Sequence, residues 1–402
     1  MASHVSRRGG LLPLLPLLGA ALASPPALRG GAAAAAASTA ASTAASGALT
    51  WLAASDTHLG HDVGPKNGSI VTSVTKNEWA IDLMNNVTLY SWPASLGGDA
   101  IAPPALLTVS GDLIDNGSGD GAEVNGCHQW ANFSNLYGFD GTDGRVHLPV
   151  YEGRGNHDGQ NSTIALPTGC ASVPAREVAA RNALRRADAR FGIDNVSLPT
   201  GLHYSWTTPV SATCRLHFVH LNLFPGHGCG SPANPGREGP SSGGGFPCTD
   251  GWTWPEDSLG FLESDLAAYA LAPGTMVVTI FHYGLDGWSI TWYNSDQREE
   301  LIATLLKYKT LAVFVGHTHA ADLYSFNGTD QGAFDDARPG FVPVVNAPAT
   351  QKEDGDHNAL PSEFMVADVT VDAATGAGRF RVGQRVGTSW GKVLGERAFT
   401  CA

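Results

Sequence analysis

Short apolar runs rich in β-branched residues recur along the chain, and most of them end in a cluster of polar residues. The runs are "ALTWLAASDTH", "ALLTVSGDLIDN", "VHLPVYEGRGNHD", "LHFVHLNLF", "TMVVTIFHYG" and "TLAVFVGHTH". Runs of this length, bounded by glycine and polar residues, are typical of buried β-strands. Three further strand-like runs in the last third of the chain, "FVPVVNA", "FMVADVTV" and "RFRVGQRV", are expected to extend a sheet rather than to form another domain.

Segments with helical spacing lie between these runs. They are residues 176–191, 255–270 and 295–308, and each is predicted to form a helix. The arginine-rich segment 176–190 is expected to present a solvated face. Strands that alternate with helices predict an α/β domain. Ligands of such domains bind at the carboxyl ends of the strands, which is where the polar clusters fall.

The first 49 residues contain no Asp or Glu. In this leader, "SRRGG" precedes the apolar run "LLPLLPLLGAALA", and Ala21-Leu22-Ala23 offers a small-x-small cleavage site. This order predicts a signal peptide over residues 1–23, and residues 24–49 have the composition of a low-complexity Ala/Ser/Thr linker. Residues 50–402 are then expected to form one domain. The apolar run is too short, and too interrupted by proline, to predict a transmembrane segment.

A signal peptide predicts that the protein is secreted, or delivered to a vacuole or lysosome through the secretory pathway. Two alternatives remain open. Arg7-Arg8 ahead of leucines is also a feature of twin-arginine export signals. An acid-free leader rich in Ser and Ala is also typical of plastid transit peptides.

Cysteine and asparagine usage favours an oxidising compartment. Six cysteines allow three disulfides and leave about 15 pairings open; Cys229 and Cys248 bracket a loop with no core of its own, so we expect these two to pair. Reduced, buried thiols are the alternative. The cysteines are Cys127, Cys170, Cys214, Cys229, Cys248 and Cys401. Seven N-x-[ST] sequons favour a glycoprotein: Asn67, Asn86, Asn116, Asn132, Asn161, Asn195 and Asn327.

The polar residues at the predicted strand ends have the side chains of metal ligands. They are Asp56 and His58 in "DTH", Asp112 and Asp115 in "GDLIDN", Asn156 and His157 in "GNHD", His282 in "FHY", and His317 and His319 in "GHTH". Carboxylates, an amide oxygen and several imidazoles suit zinc, manganese or iron ions. Their number is too large for one ion and about right for two.

In this order the motifs resemble the signature of the calcineurin-like metallophosphoesterase superfamily: D-x-H, G-D-x-x-D, G-N-H-[DE], a lone His and G-H-x-H. All five parts are present, each after a predicted strand, between residues 56 and 319. The resemblance implies an α/β fold, a four-layer αββα sandwich of two mixed sheets flanked by helices. It also implies two divalent or trivalent metal ions (Zn, Mn or Fe) with three sets of ligands: Asp56, His58 and His319 for the first, Asn156, His282 and His317 for the second, and Asp112 as the bridge.

Two metal ions reconcile an acidic chain with the binding of phosphate. The net charge of −13 makes a nucleic-acid groove or an anionic membrane surface a poor candidate partner. Two divalent ions carry four positive charges, however, and Asp56 and Asp112 carry two negative charges, so the site has a net positive charge. Because such ions activate a water for in-line attack on phosphorus, a phosphate ester is the expected substrate.

His157 lies beside the ligand Asn156 and is the candidate general acid that protonates the leaving group. Asp115 is expected to orient its ring, as the second Asp of G-D-x-x-D does in relatives. Protein-phosphatase relatives carry an arginine after that Asp to bind phosphate; here the residue is Asn116, and Arg154 is the candidate substitute. Purple acid phosphatases place a metal-binding tyrosine where Asp115 stands, which argues against an iron–tyrosinate centre.

Aromatic residues are frequent near the last two motifs: Trp252, Trp254, Tyr283, Trp288, Trp292 and Tyr293. Tyr283 and Trp288 follow His282 closely and are candidates for substrate contacts in a leaving-group pocket. The alternative is that these rings pack in the core, as most aromatic residues do.

The sequence therefore predicts a secreted, metal-dependent phosphoric ester hydrolase that acts on monoesters. A phosphodiesterase that acts on nucleotides or phospholipid head groups is the alternative within the same class, because the motifs serve both reactions. A glycoprotein that keeps the fold for binding and has lost catalysis is the alternative from another class. A missing ligand is the usual sign of such a loss, and none is missing here.

Overall fold

The computed structural model of the protein describes residues 47–60, 72–115, 126–159, 173–228, 255–292, 295–336, 338–350 and 362–401. These residues belong to one compact unit, Ala44–Ala402. Among the helices of these segments, none is long and apolar enough to cross a membrane. Several sequence predictions lie outside the described residues: the signal peptide, nearly all of the linker, Asn67, Asn116, Asn161, Cys170, Cys229, Cys248, Trp252, Trp254, Tyr293 and the side chain of Trp292.

The described segments contain strands and helices in the alternating order that the sequence predicts. The strands are β1 (Gly47–Ala54), β2 (Leu107–Val109), β3 (Val150–Glu152), β4 (Ile193–Val196), β5 (Tyr204–Pro209), β6 (Arg215–His220), β7 (Thr275–Tyr283), β8 (Thr310–Gly316), β9 (Asp322–Phe326), β10 (Gln331–Ala333), β11 (Val342–Asn346), β12 (Glu363–Val371), β13 (Ala377–Val386) and β14 (Ser389–Thr400). The helices are α1 (Ser73–Asn85), α2 (Gly126–Tyr137), α3 (Val173–Ala187), α4 (Ser258–Tyr269) and α5 (Ser295–Lys307).

The strands form two mixed sheets. The first has the order β14-β13-β12-β1-β2-β3, with β1, β2 and β3 parallel and the other pairs antiparallel. The second has the order β10-β9-β11-β8-β7-β6-β5-β4, in which β6, β7, β8 and β11 are parallel. The run "FVPVVNA" supplies β11 of the second sheet, while "FMVADVTV" and "RFRVGQRV" supply β12 and β13 of the first, so these runs extend the sheets as predicted.

The two sheets pack face to face around Trp51, which is fully buried. Its ring lies 5.6 Å from that of Phe218 on β6 and 5.7 Å from that of Phe314 on β8, both in edge-on contacts. It also stacks on Phe380 of β13 at 6.0 Å. Aromatic rings prefer these edge-on and offset arrangements, so the centre of the sandwich is a well-packed aromatic layer.

Strand β1 shows why the sequence runs are apolar along most of their length. Leu49, Trp51 and Ala53 join the cluster between the sheets, whereas Leu52 and Ala54 join the cluster beneath the helices. Successive side chains of a strand point to opposite faces. A sheet covered on both faces therefore favours apolar residues at most positions. The buried Thr50 of β1 is the exception, and its hydroxyl donates to Asp368 Oδ2 at 3.1 Å.

Helices cover the outer face of each sheet. Leu52 of β1 shares a buried cluster with Ile81 of α1, and Val313 of β8 shares another with Leu262 of α4 and Leu301 of α5. The layers thus run helix, sheet, sheet, helix. The predicted four-layer αββα sandwich is confirmed, and so are the predicted helices 176–191, 255–270 and 295–308, with shifted boundaries.

The arginines of segment 176–190 correct one prediction in part: Arg176, Arg186 and Arg190 are exposed as expected, whereas Arg181 and Arg185 are buried. Arg185 is fully buried and Arg181 is 9% exposed. Arg181 Nε donates to Oε1 of the buried Glu152 at 2.7 Å, and Arg185 donates to Oε2 of the same carboxylate. The Arg185 guanidinium also lies over the rings of Phe139 and Tyr151. Sequence spacing could not reveal this, since the partner carboxylate comes from β3.

Replacing Glu152 by Gln is expected to lower the free energy of unfolding by about 3–5 kcal/mol, because two buried guanidinium groups lose their counter-charge. Urea-induced unfolding measures the change. Arg190→Ala is the matched control: that side chain is 68% exposed and pairs with Asp188 at the surface, so its loss should cost less than about 1 kcal/mol. A Glu152→Gln cost no larger than that of the control would show that the buried pairs do not stabilise the fold.

The described cysteines are disulfide-bonded. Cys214, which precedes β6, is joined to Cys401, and Cys127 is also in a disulfide. Disulfides of this kind persist in oxidising compartments. Of the described sequons, Asn195 donates its Nδ2 to the buried Asp265 at 3.0 Å. A glycan on that nitrogen would disturb the bond, so Asn195 is a poor glycan acceptor.

Candidate metal centre

The predicted ligands lie where strands of the two sheets end. Asp56 follows β1, Asp112 follows β2 and Asn156 follows β3, and these strands are parallel neighbours. His282 lies next to the end of β7, and His317 follows its parallel neighbour β8. The two sets of strand ends meet, because Asp56 Oδ1 is 3.9 Å from His282 Nε2.

A first ligand group consists of Asp56, His58 and His319, whose ligand atoms lie within 4.8 Å of one another. His58 Nε2 is 3.0 Å from His319 Nε2. Asp56 Oδ1 is 3.3 Å from His319 Nε2 and 3.7 Å from His58 Nε2. One carboxylate and two imidazoles facing a common point form a donor set that suits a divalent transition metal.

A second ligand group consists of Asp112, His282 and His317, again within 4.8 Å of one another. Asn156 joins it, because its Oδ1 lies 3.0 Å from His282 Nε2. Asp112 Oδ2 is 3.0 Å from His282 Nε2 and 3.7 Å from His58 Nε2. Asp112 therefore faces both groups, which is the position that a bridging ligand needs.

The two carboxylates are oriented by backbone N–H groups. Asp56 Oδ2 accepts the N–H of His317 at 3.0 Å, and Asp112 Oδ1 accepts the N–H of His157 at 2.8 Å. Both side chains are fully buried. Within the described residues, Asp56 Oδ1 and Asp112 Oδ2 accept no well-aligned hydrogen bond, and the groups that face them are ligand imidazoles, His319 Nε2 at 3.3 Å and His282 Nε2 at 3.0 Å. Buried oxygens without a donor are costly, and metal ions at this point would satisfy both.

The electrostatics of the centre keep the carboxylates ionised. Burial on its own would raise the pKa of Asp56 and of Asp112, but the neighbouring histidines, His282 above all, lower both pKa values below the usual range. Burial, aided by the charge of His282, lowers the pKa of His317 to about 3. His317 is therefore neutral near pH 7, the form in which an imidazole binds a metal.

The backbone is strained at the same place. Asp56 (φ 52°), His58 (39°), Asp112 (50°), His317 (72°) and His319 (60°) all lie in the left-handed region. This conformation costs roughly 1–2 kcal/mol for a residue other than glycine, and strained residues cluster at functional sites. These residues lie in the turns that follow the strands, and their positive φ angles direct the side chains toward one point.

The glycines of two motifs permit the close approach of these turns. A Cβ on Gly155 would lie 2.2 Å from Asp112 Oδ1, and one on Gly316 would lie 1.8 Å from Ser55 Oγ and 2.7 Å from Asp56 Oδ2. Any side chain at either position would displace a ligand carboxylate. The glycines of "GNHD" and "GHTH" are thus part of the site.

His157 and Asp115 lie next to the first ligand group, in an arrangement that differs from the expectation. His157 Nδ1 lies 2.5 Å from the backbone carbonyl oxygen of Asp115, whereas the Asp115 carboxylate lies 3.4 Å from His58 Nδ1. A carbonyl only accepts, so Nδ1 of His157 carries a proton and donates it. The carbonyl of Asp115 thus orients His157, and its carboxylate faces the ligand His58, a common partner of metal-bound histidine.

Asp158 is a positioning residue that the sequence analysis missed. Its carboxylate is fully buried and accepts the N–H groups of Gly155 at 2.8 Å, Leu113 at 3.1 Å and Ile114 at 3.0 Å. It therefore ties the turn after β3 to the turn after β2, and so holds Asn156 next to Asp112. Asp158 is the last residue of the motif "GNHD", so the sequence contained a signal for it, although it was not predicted to bind a metal.

Arg154, the candidate phosphate-binding residue, is 4% exposed. Burial lowers the pKa of its guanidinium, while the charges of Glu256 and Asp158 oppose that shift. Its carbonyl oxygen accepts the N–H of Leu223 at 3.2 Å. Contact of Arg154 with a substrate stays a prediction.

The two candidate aromatic residues both contact the ligand His317. The Tyr283 ring is fully buried and meets the His317 ring edge-on at 4.3 Å. The Trp288 ring is 56% exposed and stacks on the His317 ring at 4.5 Å with an interplanar angle of 8°. Tyr283 thus supports the ligand from within the protein, whereas Trp288 lies at the surface of the centre.

Comparisons with solved structures find similar chains. A dimetal phosphatase from Danio rerio has a TM-score of 0.49 and 12% identity, over 88% of this chain and 99% of that one. A purple acid phosphatase from yellow lupin (Lupinus luteus) seeds has a TM-score of 0.46 and 12% identity, over 89% and 55%. A calcineurin-like phosphoesterase from Bacillus subtilis has a TM-score of 0.39 and 11% identity, over 89% and 92%. No family model and no curated protein matches this chain in sequence.

Proposed function

We propose that the protein is a dinuclear metal-dependent phosphoesterase that hydrolyses phosphate monoesters. The observation that supports this most strongly is the pair of ligand groups that share Asp112. Each group presents oxygen and nitrogen ligand atoms to one point, all of them buried except those of the partly exposed His319. Within the described part of the chain, Asp56 Oδ1 and Asp112 Oδ2 accept no well-aligned hydrogen bond. A purely structural cluster would pair such oxygens with donors.

The donor set fits two metal ions of the zinc, manganese or iron type. Asp56, His58 and His319 would hold one ion, Asn156, His282 and His317 the other, and Asp112 would bridge them. When bound, two such ions activate a water and clamp the phosphoryl oxygens for in-line attack. Two divalent ions bound by the two carboxylates Asp56 and Asp112 leave the centre about two charges positive, which attracts phosphate to a chain whose net charge is −13.

His157 would act on the leaving group. Its Nδ1 proton is held by the carbonyl of Asp115, so the proton that can be transferred is the one on Nε2. The ring meets the His58 ring edge-on at 4.6 Å, which places it beside the first ligand group. In the protonated form, His157 would hold the Asp115 carbonyl with one N–H and give the other proton to the departing alkoxide.

Export from the cytosol is part of the proposal. The disulfides of Cys214 with Cys401 and of Cys127 support an oxidising compartment, and the acid-free leader has the order of a secretory signal. Twin-arginine export and a plastid destination stay open. The N-terminal sequence of the mature protein, together with its glycan content, distinguishes the three routes.

The test is turnover of p-nitrophenyl phosphate and bis-p-nitrophenyl phosphate by the purified chain with Mn²⁺, Zn²⁺ or Fe²⁺. We expect preferential hydrolysis of the monoester, its loss on chelation and its return when metal is added. Preference for the diester would support the phosphodiesterase alternative instead. A metal-loaded protein that binds phosphate and hydrolyses neither ester would support the binding-glycoprotein alternative and contradict the proposal.

A further inference from the structure

A flat aromatic surface lies next to the candidate metal centre. Trp288 stacks on His317 with 4.5 Å between ring centres and an interplanar angle of 8°. His317 belongs to the second ligand group, so Trp288 contacts a residue that would bind a metal directly. More than half of the Trp288 side chain is exposed, which distinguishes it from Trp51 in the core.

The backbone holds Trp288 in this position. Asp286 Oδ1 accepts the N–H groups of Trp288 and Ser289, both at 2.9 Å, and the Asp286 carbonyl accepts the N–H of Ile290 at 3.0 Å. The N–H of Leu285 donates to the hydroxyl of the buried Tyr324 at 3.0 Å. A large apolar side chain is thus exposed on a fixed turn. Because the turn is already ordered, little conformational entropy is lost when a ligand contacts it.

An exposed indole beside a phosphate-binding centre favours a particular chemistry of leaving group. A planar ring stacks on an indole face, and such stacking changes affinity by roughly threefold to tenfold. An anionic leaving group is disfavoured, because the Asp286 carboxylate lies at the base of the turn, where its Oδ1 accepts the N–H of Trp288.

We propose that Trp288 determines substrate specificity by stacking on the leaving group, and that the preferred substrates are phosphate esters of uncharged, planar aromatic groups such as aryl or nucleoside esters. The inference rests on the proposed function, because the phosphate must be held at the metal centre for the ring to reach Trp288.

Binding of non-hydrolysable phosphonates to the metal-loaded chain tests this inference without using catalysis. Phenylphosphonate and cyclohexylphosphonate have rings of similar size, but only the first is flat. Titration calorimetry should show that the wild-type chain binds phenylphosphonate about threefold to tenfold more tightly. In Trp288→Ala this preference should fall to about one, in Trp288→Phe most of it should remain, and the affinity for inorganic phosphate should be unchanged in both.

Controls separate recognition from damage to the centre. Leu271→Ala removes another exposed apolar side chain, 67% exposed and at the opposite end of β7 from His282, and should leave the preference intact. Metal content is measured for every variant because Trp288 stacks on a ligand. If Trp288→Ala loses metal, Trp288→Leu keeps an apolar contact with His317 and should still abolish the preference.

Three outcomes would overturn the inference. Equal affinity of the wild-type chain for the two phosphonates, or a preference that survives in metal-loaded Trp288→Ala or Trp288→Leu, would reject the role of Trp288 and leave the phosphoesterase proposal standing. If the metal-loaded wild-type chain binds neither inorganic phosphate nor either phosphonate, the proposed function is rejected, and the inference with it.

Discussion

An Asp112→Asn variant is expected to lose turnover of p-nitrophenyl phosphate by at least about 10³-fold. Asp112 Oδ2 faces His58 of the first ligand group and His282 of the second, so its charge is shared by both proposed metal positions. Metal ions at such sites contribute several kcal/mol to transition-state stabilisation, and about 4 kcal/mol corresponds to about 10³-fold in rate. Initial rates at saturating metal measure the effect, with bound metal quantified in parallel.

The fold should tolerate this substitution. An asparagine keeps the shape of the side chain, and its amide oxygen can still accept the N–H of His157 that Asp112 Oδ1 accepts at 2.8 Å. The metal-free variant is therefore expected to fold, but to unfold at a somewhat lower temperature than the metal-free wild type, because it loses the attraction between the Asp112 carboxylate and His282. Asp372→Asn is the control, because that exposed carboxylate caps the turn between β12 and β13. Equal activity of Asp112→Asn and Asp372→Asn would contradict the bridging role.

Replacing His157 by Asn is expected to slow hydrolysis of an alkyl phosphate by about 10²–10⁴-fold, the usual contribution of a positioned acid. Hydrolysis of p-nitrophenyl phosphate should slow much less, because its leaving group departs readily without a proton. The effect should fall on kcat rather than on KM, since His157 is proposed to act on the departing oxygen. Steady-state kinetics with ethyl phosphate and p-nitrophenyl phosphate measure the difference.

His147→Asn is the matched control for that variant, because His147 is exposed and lies on the loop before β3. Its rates should equal those of the wild type with both substrates. A His157→Asn variant that slows both substrates by the same factor would assign His157 to metal or phosphate binding rather than to proton donation.

The parts of the site that sequence could predict are those that each strand end carries by itself. Asp56, Asp112 and Asn156 each follow an apolar run, and adjacent parallel strands bring such ends together. The order of the motifs also resembles a known superfamily signature. That resemblance identified His282 as a candidate ligand, because only the order of the motifs distinguishes it from a core histidine. The alternation of strands and helices predicted the α/β class, whereas the four-layer arrangement of two sheets was implied only by the resemblance to that superfamily.

The parts that sequence could not predict depend on which groups meet across the chain. The buried pairs of Arg181 and Arg185 with Glu152 join α3 to β3, and the spacing of the arginines shows only that they share a helix. Asp115 likewise lies next to His157 through its carbonyl and next to His58 through its carboxylate. A sequence motif identifies Asp115, but the conformation of the backbone turn determines whether its carbonyl or its carboxylate contacts a given histidine.

The metal positions can be observed directly by anomalous diffraction from crystals of the chain loaded with Zn²⁺ or Mn²⁺. We expect two peaks about 3.5–4 Å apart. One should be bonded to the first ligand group of Asp56, His58 and His319 and the other to Asn156, His282 and His317, with Asp112 bonded to both. A single peak, or peaks that leave Asp112 without a metal, would contradict the dinuclear centre on which the proposed phosphoesterase activity depends.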